Sequence, residues 1–328
     1  MITENVKWGI IGCGDVTEIK SGPAFQKVAN SELVAVMRRN EAMAADFAMR
    51  HGVPKWYSDA DDLINDPEVN AIYIATPPDS HADYCIKAMN AGKPVYVEKP
   101  MALNTQECQR MIEASTYTGM PLFVAYYRRA LPLFVRIKQL IENKVIGDIK
   151  LINLKLHWPA QQEELDGNPG WRVFPEISGG GYFHDLASHQ IDYLEYTLGP
   201  IVEAKGMSEN QAGLYPAPDT VTGLLKFESG AVATGSWCFT VPEDHFCDQT
   251  EIIGSKGKIT FSFFDSQVLH IETETTDEKI EIPHPEHVHQ PLVDLVVQEL
   301  RGEGACPSTG ITGIRANMWI DKITGGYS

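Results

Sequence analysis

The chain has 328 residues, 43% of them hydrophobic and 22% charged, an ordinary balance for a folded protein and a length beyond most single cores, so two domains are expected. Lys plus Arg number 27 against 44 for Asp plus Glu, a formal charge of −17. That excess of carboxylates argues against nucleic acid or an anionic membrane as a partner, because binding phosphates requires a basic face.

Residues 1–5 carry neither a basic start nor an apolar run, and no stretch is apolar for long enough to span a bilayer. The six cysteines (Cys13, Cys85, Cys108, Cys238, Cys247 and Cys306) are scattered without a Cys-x-x-Cys pair. Reduced thiols and a cytoplasmic location are the expectation.

The apolar run Val6–Ile11 ends in Gly12-Cys13-Gly14-Asp15-Val16-Thr17. Strand, glycine turn and helix start in that order form the context of a dinucleotide fingerprint. Gly12 permits the tight turn, and Gly14 lets the backbone approach a pyrophosphate at the helix amino end. Cys13 is a small residue facing the cofactor or the sheet, and Thr17 stands where a third glycine or alanine is usual. A second strand is expected at 32–37. Where NAD-binding chains end that strand in a carboxylate, this one has Arg38-Arg39-Asn40. Two guanidinium groups suit a 2′-phosphate, so NADP(H) is expected ahead of NAD(H).

Helix and strand then alternate: helices over 41–51 and 59–65, a buried strand over 71–75, a helix over 80–91 closed by Gly92, a strand over 95–97, a helix over 105–118 and a strand over 122–126. This is the pattern of a doubly wound parallel sheet. Its ligand-binding edge would carry Thr76, Pro77, His81, Glu98 and Lys99. The stretch Val95-Tyr96-Val97-Glu98-Lys99-Pro100 delivers two opposite charges at a strand end, where the proline stops it. A partly desolvated lysine beside Glu98 can hold a substrate oxygen or steady a developing charge. The plainer alternative is a solvated ion pair of little consequence.

A second domain, α+β, is expected from residue 126, after a first domain of 1–125. It begins with a helix over 133–143 and a strand over 148–157, followed by a loop over 158–181. From 202 to 282 short alternating runs, among them 221–227, 231–240 and 258–264, predict a mostly antiparallel open sheet. Two helices, over 290–301 and 309–323, end the chain. Inside this domain Gly179-Gly180-Gly181 precedes a helix bearing Asp185 and His189. Four residues apart, they share a face of a regular helix, and a carboxylate beside an imidazole suits it to acid–base work. A capping aspartate and an ordinary histidine are the alternative.

Taken together, Gly12-x-Gly14, Thr76-Pro77-Pro78-x-x-His81, Glu98-Lys99-Pro100 and Gly179-Gly180-Gly181 with Asp185-x-x-x-His189 resemble one family across essentially the whole chain. It is the glucose–fructose oxidoreductase, inositol dehydrogenase and MocA-like group of NAD(P)-dependent oxidoreductases. The resemblance implies a Rossmann domain and an α+β domain whose sheet makes homodimer or homotetramer contacts. It implies Lys99, Asp185 and His189 as the catalytic set acting on a sugar, ketosugar or cyclic polyol. By the same resemblance Arg128, Trp171 and Arg172 lie near the cofactor. Two other activities of such folds stay open: a glycosidase that retains its NAD, and a regulator that binds the dinucleotide without turning it over. The remaining cluster, His284-Pro285-Glu286-His287-Val288-His289, has metal-ligand residue types but no fourth ligand at a telling spacing, and is expected to be a solvated loop without metal.

Overall fold

The computed structural model describes residues 1–326. Six strands, β1 (Val6–Ile11), β2 (Ser31–Met37), β3 (Lys55–Tyr57), β4 (Ala71–Ile74), β5 (Val95–Val97) and β6 (Leu122–Val124), pair in parallel in the order β3-β2-β1-β4-β5-β6. The order reverses between β1 and β4, which is where open α/β sheets bind ligands beyond their strand ends. β4 and β5 are buried at every position, as a sheet covered on both faces requires. The crossover helices begin and end on local chemistry. Asn40 Oδ1 accepts from the amide of Met43 at the start of Glu41–His51, and Gly52 closes that helix in the left-handed region. Asn104 and Gly119 do the same for Thr105–Thr118. The one strand not anticipated is β3, three residues long, whose only signal is the Trp56-Tyr57 pair.

The second sheet has eight strands: β7 (Ile149–His157), β8 (Ile201–Glu209), β9 (Thr220–Phe227), β10 (Val232–Cys238), β11 (Cys247–Gly254), β12 (Gly257–Phe261), β13 (Val268–Thr273) and β14 (Asp277–Glu281). Their order is β14-β13-β12-β11-β7-β10-β9-β8, antiparallel except for β10 beside β7. The expected mostly antiparallel sheet is therefore present. β9 shows why: its residues alternate between buried and exposed along its length.

The two units are not contiguous in sequence. The first comprises Met1–Leu131 and Pro285–Arg315, and the second Pro132–His284 together with the chain from Ala316 on. This departs from a single division after residue 125. Helix Gln290–Arg301 carries Leu292, Val293, Val296, Val297 and Leu300 on one stripe, buried in the cluster that holds Trp8, Phe25, Tyr73 and Tyr96. Burying five such side chains is worth roughly 1.5–3 kcal/mol each, enough to return the segment to the parallel sheet. No described helix is long and apolar enough to cross a membrane, and all six cysteines are free thiols.

Candidate active site

In the first unit the candidate residues lie along the carboxyl edge of the parallel sheet. β1 runs into Gly12, whose φ is +93°, and a Cβ there would lie 2.8 Å from the backbone nitrogen of Thr76. Only glycine fits. The amides of Gly12 and Cys13 both donate to the carbonyl of Met37, at 2.9 and 3.2 Å, which ties the turn to the end of β2. Gly14 is different. Its backbone is extended, and a Cβ would meet nothing nearer than the Gly12 carbonyl at 4.0 Å. The chain's own packing gives no reason for a glycine at that position, whereas close approach by a dinucleotide phosphate does, so the residues present fit such a group. The helix Asp15–Ile19 begins there without a side-chain cap, and Thr17, fully buried, donates its hydroxyl to the Gly14 carbonyl at 2.6 Å. Cys13 is buried too, and burial pushes its thiol up to about 11, so it is an inert packing residue.

Arg38 folds back over this turn, its Nη1 donating to the Cys13 carbonyl at 3.3 Å. Arg39 is exposed, and its charge acts on Asp79 beyond β4. His81 is fully buried, with Nε2 2.8 Å from the Thr76 carbonyl and Nδ1 3.1 Å from that of Pro100. Burial lowers it to about 4, so it is a neutral clamp between two strand ends. Thr76 accepts from the Ser80 hydroxyl at 2.7 Å.

Lys99 follows β5 half-buried, and the Lys99-Pro100 peptide is cis. Its neighbour Glu98 turns inward: Oε2 accepts from the Lys99 amide at 3.3 Å, and Oε1 accepts from the Tyr73 hydroxyl. Arg128 is buried with Nη1 donating to the Tyr127 hydroxyl at 3.2 Å.

The solvated loop expected at 284–289 is a correction. His287 and His289 are buried, Lys27 lies 2.5 Å from His287 Nε2, and His289 sits inside the first unit with Nδ1 3.3 Å from the Tyr96 hydroxyl. The apolar helix that follows draws the two histidines in with it.

The second unit holds a cavity of about 240 Å³ lined by Trp158, Pro159, Gln161, Arg172, Tyr182, Asp185, Leu186 and Phe239. The segment expected as plain loop contains short helices at Gln162–Leu165 and Pro175–Ser178. Glu164, buried, accepts from the Tyr182 hydroxyl at 2.5 Å and from the Gln161 amide at 2.9 Å. Burial and that carboxylate hold the Tyr182 phenol far above its usual range. Gly179, Gly180 and Gly181 all have positive φ, and a Cβ on Gly180 would collide with the His184 imidazole. After them Phe183–Ala187 forms a π turn rather than regular helix, so the phase expected between Asp185 and His189 is not that of an α-helix. Asp185 pairs with Arg172, Nε to Oδ2 at 3.3 Å, and the guanidinium lies 4.7 Å from the Trp171 ring centre. His189 is buried on helix Ser188–Leu198, 6.2 Å from the ring of Phe264, which in turn packs on Trp158 at 5.8 Å. Asp248 fixes that wall by accepting from the Ser262 hydroxyl at 2.6 Å and the amides of Phe264 and Asp265 at 2.5 and 3.0 Å.

Sequence reasoning missed Tyr73, Glu164, Tyr182 and Phe264, and it read His289 as part of a solvated loop. For Tyr73 alone a signal existed, a hydroxyl inside an otherwise apolar strand.

The model of an oxidoreductase family with an NAD-binding Rossmann fold matches residues 6–126, and that of the GFO/IDH/MocA C-terminal domain matches residues 134–260. Oxidoreductase P35 of Formosa agariphila is 43% identical over 295 residues, 89% of this chain and 90% of its own. Myo-inositol 2-dehydrogenase of Thermotoga maritima is 30% identical over 278 residues, 83% of this chain and 78% of its own. Among solved structures, a levoglucosan dehydrogenase in complex with NADH and levoglucosan superposes with a TM-score of 0.86 at 22% identity, covering 98% of this chain and 96% of the other, a likeness of fold.

Proposed function

This chain belongs to the GFO/IDH/MocA family of oxidoreductases, and from that premise we propose that it moves hydride between a nicotinamide and a hydroxyl or carbonyl carbon of a sugar, ketosugar or cyclic polyol. The observation that carries the reading is the strand edge itself: the Gly12–Gly14 turn, open at Gly14, and Lys99 at the end of β5 lie on one sheet across its point of reversal. Gly12, Cys13, Gly14, Asp15, Val16, Thr76 and Pro77 line the dinucleotide site. When bound there, the nicotinamide supplies the hydride acceptor or donor.

The chain's own residues handle the proton and the charge. Lys99 donates a hydrogen bond to the reacting oxygen and offsets its negative charge. His189 takes the hydroxyl proton in oxidation and returns it in reduction, and Asp185 with Arg172 orients a neighbouring hydroxyl. Two of the relatives are named for a cyclic polyol and an anhydrosugar, myo-inositol 2-dehydrogenase and 1,5-anhydro-D-fructose reductase, which supports that substrate class. Arg38 on the glycine turn and exposed Arg39 favour NADP(H), with NAD(H) the second choice. Exposed Val202, Met207 and Leu224 on β8 and β9 favour a homodimer or homotetramer through the sheet, which light scattering on the purified chain tests.

The functional test is nicotinamide absorbance with NADP⁺, NAD⁺ and their reduced forms against myo-inositol, levoglucosan, 1,5-anhydro-D-fructose and related ketosugars. A change with one of them establishes the reaction class. No change with any, while NADPH binds, turns the reading towards a retained-cofactor glycosidase or a regulator. Arg38→Asp should weaken NADPH more than NADH, and equal weakening removes the arginine from 2′-phosphate recognition.

A further inference from the structure

The histidine-rich segment before the helix Gln290–Arg301 has no part in the reaction as described, yet its last member lies in the core of the first unit beside Glu98. His289 is fully buried, its Nε2 3.6 Å from Glu98 Oε1 and its ring 4.5 Å from that of Tyr127. Tyr73 donates its hydroxyl to the same carboxyl oxygen and lies 3.1 Å from the Ser21 hydroxyl, which reaches the Val16 carbonyl at 3.2 Å. The tyrosine ring is stacked on Tyr96 at 5.1 Å and tilted against Phe25 at 5.0 Å. The other carboxyl oxygen, Oε2, accepts from the backbone amide of Lys99.

Strands covered on both faces ordinarily carry valine, isoleucine and leucine. Four polar groups in that layer must be desolvated, and apolar packing of the same volume is commonly as stable or more so. Local rules are broken in this way mostly where function gains from it. What this cluster fixes is the orientation of one carboxyl group, and that group holds the peptide from which the Lys99 side chain departs. Burial and the charges of Lys20, Lys99 and Arg128 lower His289 to about 3, so it presents a neutral ring to Glu98 at any working pH.

We propose that Tyr73 and His289 are positioning residues that set Lys99 through the carboxyl group of Glu98. The proposal rests on the role given above to Lys99, and its test is chosen to be readable without turnover. The intact chain is treated with trinitrobenzenesulfonate, with and without NADH, and labelling at Lys99 and at exposed Lys150 is followed by peptide mass spectrometry. Tyr73→Phe keeps the ring and removes the hydroxyl, and His289→Phe keeps the aromatic volume.

Each variant should change the Lys99 rate at least about threefold, leave Lys150 unchanged and hold NADH affinity within about twofold. Glu98→Gln, which keeps the shape but only one of the two acceptor oxygens, should retain part of the wild-type rate that Glu98→Ala loses. On a substrate from the panel, Tyr73→Phe should lower kcat about tenfold at unchanged KM for the dinucleotide. Wild-type labelling of Lys99 in both aromatic variants overturns the proposal. So does a change shared equally by Lys150, or a Tm loss that accounts for the change. If Lys99→Ala keeps full turnover while the labelling shifts remain, the catalytic reading of Lys99 fails and the positioning stands.

Discussion

In the first unit the candidate residues lie where backbone geometry puts them, at the ends of consecutive parallel strands, whereas in the second they are gathered by side chains from separate segments around one cavity. Gly12 is dictated by a positive φ and a close approach, and Lys99 by the end of β5. Asp185, by contrast, is held by Arg172 from an earlier turn, and Tyr182 by Glu164. The wall beside His189 depends on Asp248 anchoring the loop of Phe264. A strand edge tolerates new side chains on its neighbours because the ladder fixes it. A side-chain cage changes shape with any one of its members. One unit is therefore suited to bind a constant group, and the other to be respecified for a varying one.

The largest expected effect separates the two units in acid. Burial holds the neutral form of His81 and His184, each lowered to about 4, and of His289, lowered to about 3. Above the unfolded value of about 6.5 both states are neutral and the full stability is present. As pH falls from there towards 4 the unfolded chain takes up protons that the folded chain refuses, so stability is lost at up to about 1.4 kcal/mol per pH unit for each histidine. The first unit contains two of these three and the second His184 with the partly exposed His157, which burial also lowers, so the amides of the first unit should lose protection at higher pH than those of the second. Hydrogen exchange followed by mass spectrometry between pH 7 and 4 measures this directly. Simultaneous opening, or earlier opening of the second unit, would contradict the assignment.

Next is Lys99→Ala, expected to lower kcat by about 10²–10⁴ with the NADPH Kd nearly unchanged. Unchanged turnover removes the lysine from the mechanism. A paired substitution then asks whether backbone geometry governs the strand edge as argued. Gly12→Ala should cost about 2 kcal/mol or more, from its positive φ and the contact with Thr76, seen as a lower Tm. Gly14→Ala should leave Tm within a few degrees and weaken NADPH, since only an incoming phosphate needs the space. Equal Tm losses would show that Gly14 serves the fold.

That asymmetry also explains what was legible. The six parallel strands, but for β3, and the fingerprint could be read from apolar runs and glycines, because local geometry requires those residues. The antiparallel alternation of β9 was equally open. The return of residues 285–315 to the first unit was not, because the stripe of Leu292, Val293, Val296, Val297 and Leu300 says that the helix is buried without saying against which core. For the same reason His289 read as loop. In the second unit, Asp185 and His189 were visible as residue types, but the π turn over Phe183–Ala187 was not, since no residue type calls for an extra residue in a helical turn. Nor was the Glu164 bond, whose partner lies 18 residues away.

The smallest effect tests the cage in the second unit. Tyr182→Phe removes the hydroxyl that donates to Glu164 Oε1 and leaves the buried carboxylate accepting from the Gln161 amide. An unmatched buried acceptor costs about 1–3 kcal/mol, part of which water entering the cavity would return. The ring's packing on Phe239, with centroids 5.4 Å apart, is kept. Tm should fall by a few degrees and dinucleotide affinity should not change, because nothing at the strand edge depends on this bond. KM for the reacting sugar or polyol should rise severalfold as the Gln161 side of the cavity loosens. If dinucleotide affinity falls as much as sugar affinity, the division of labour between a fixed edge and an adjustable cage is wrong for this chain. If the KM for the sugar alone moves, Tyr182 and Glu164 become the first positions at which to alter its substrate.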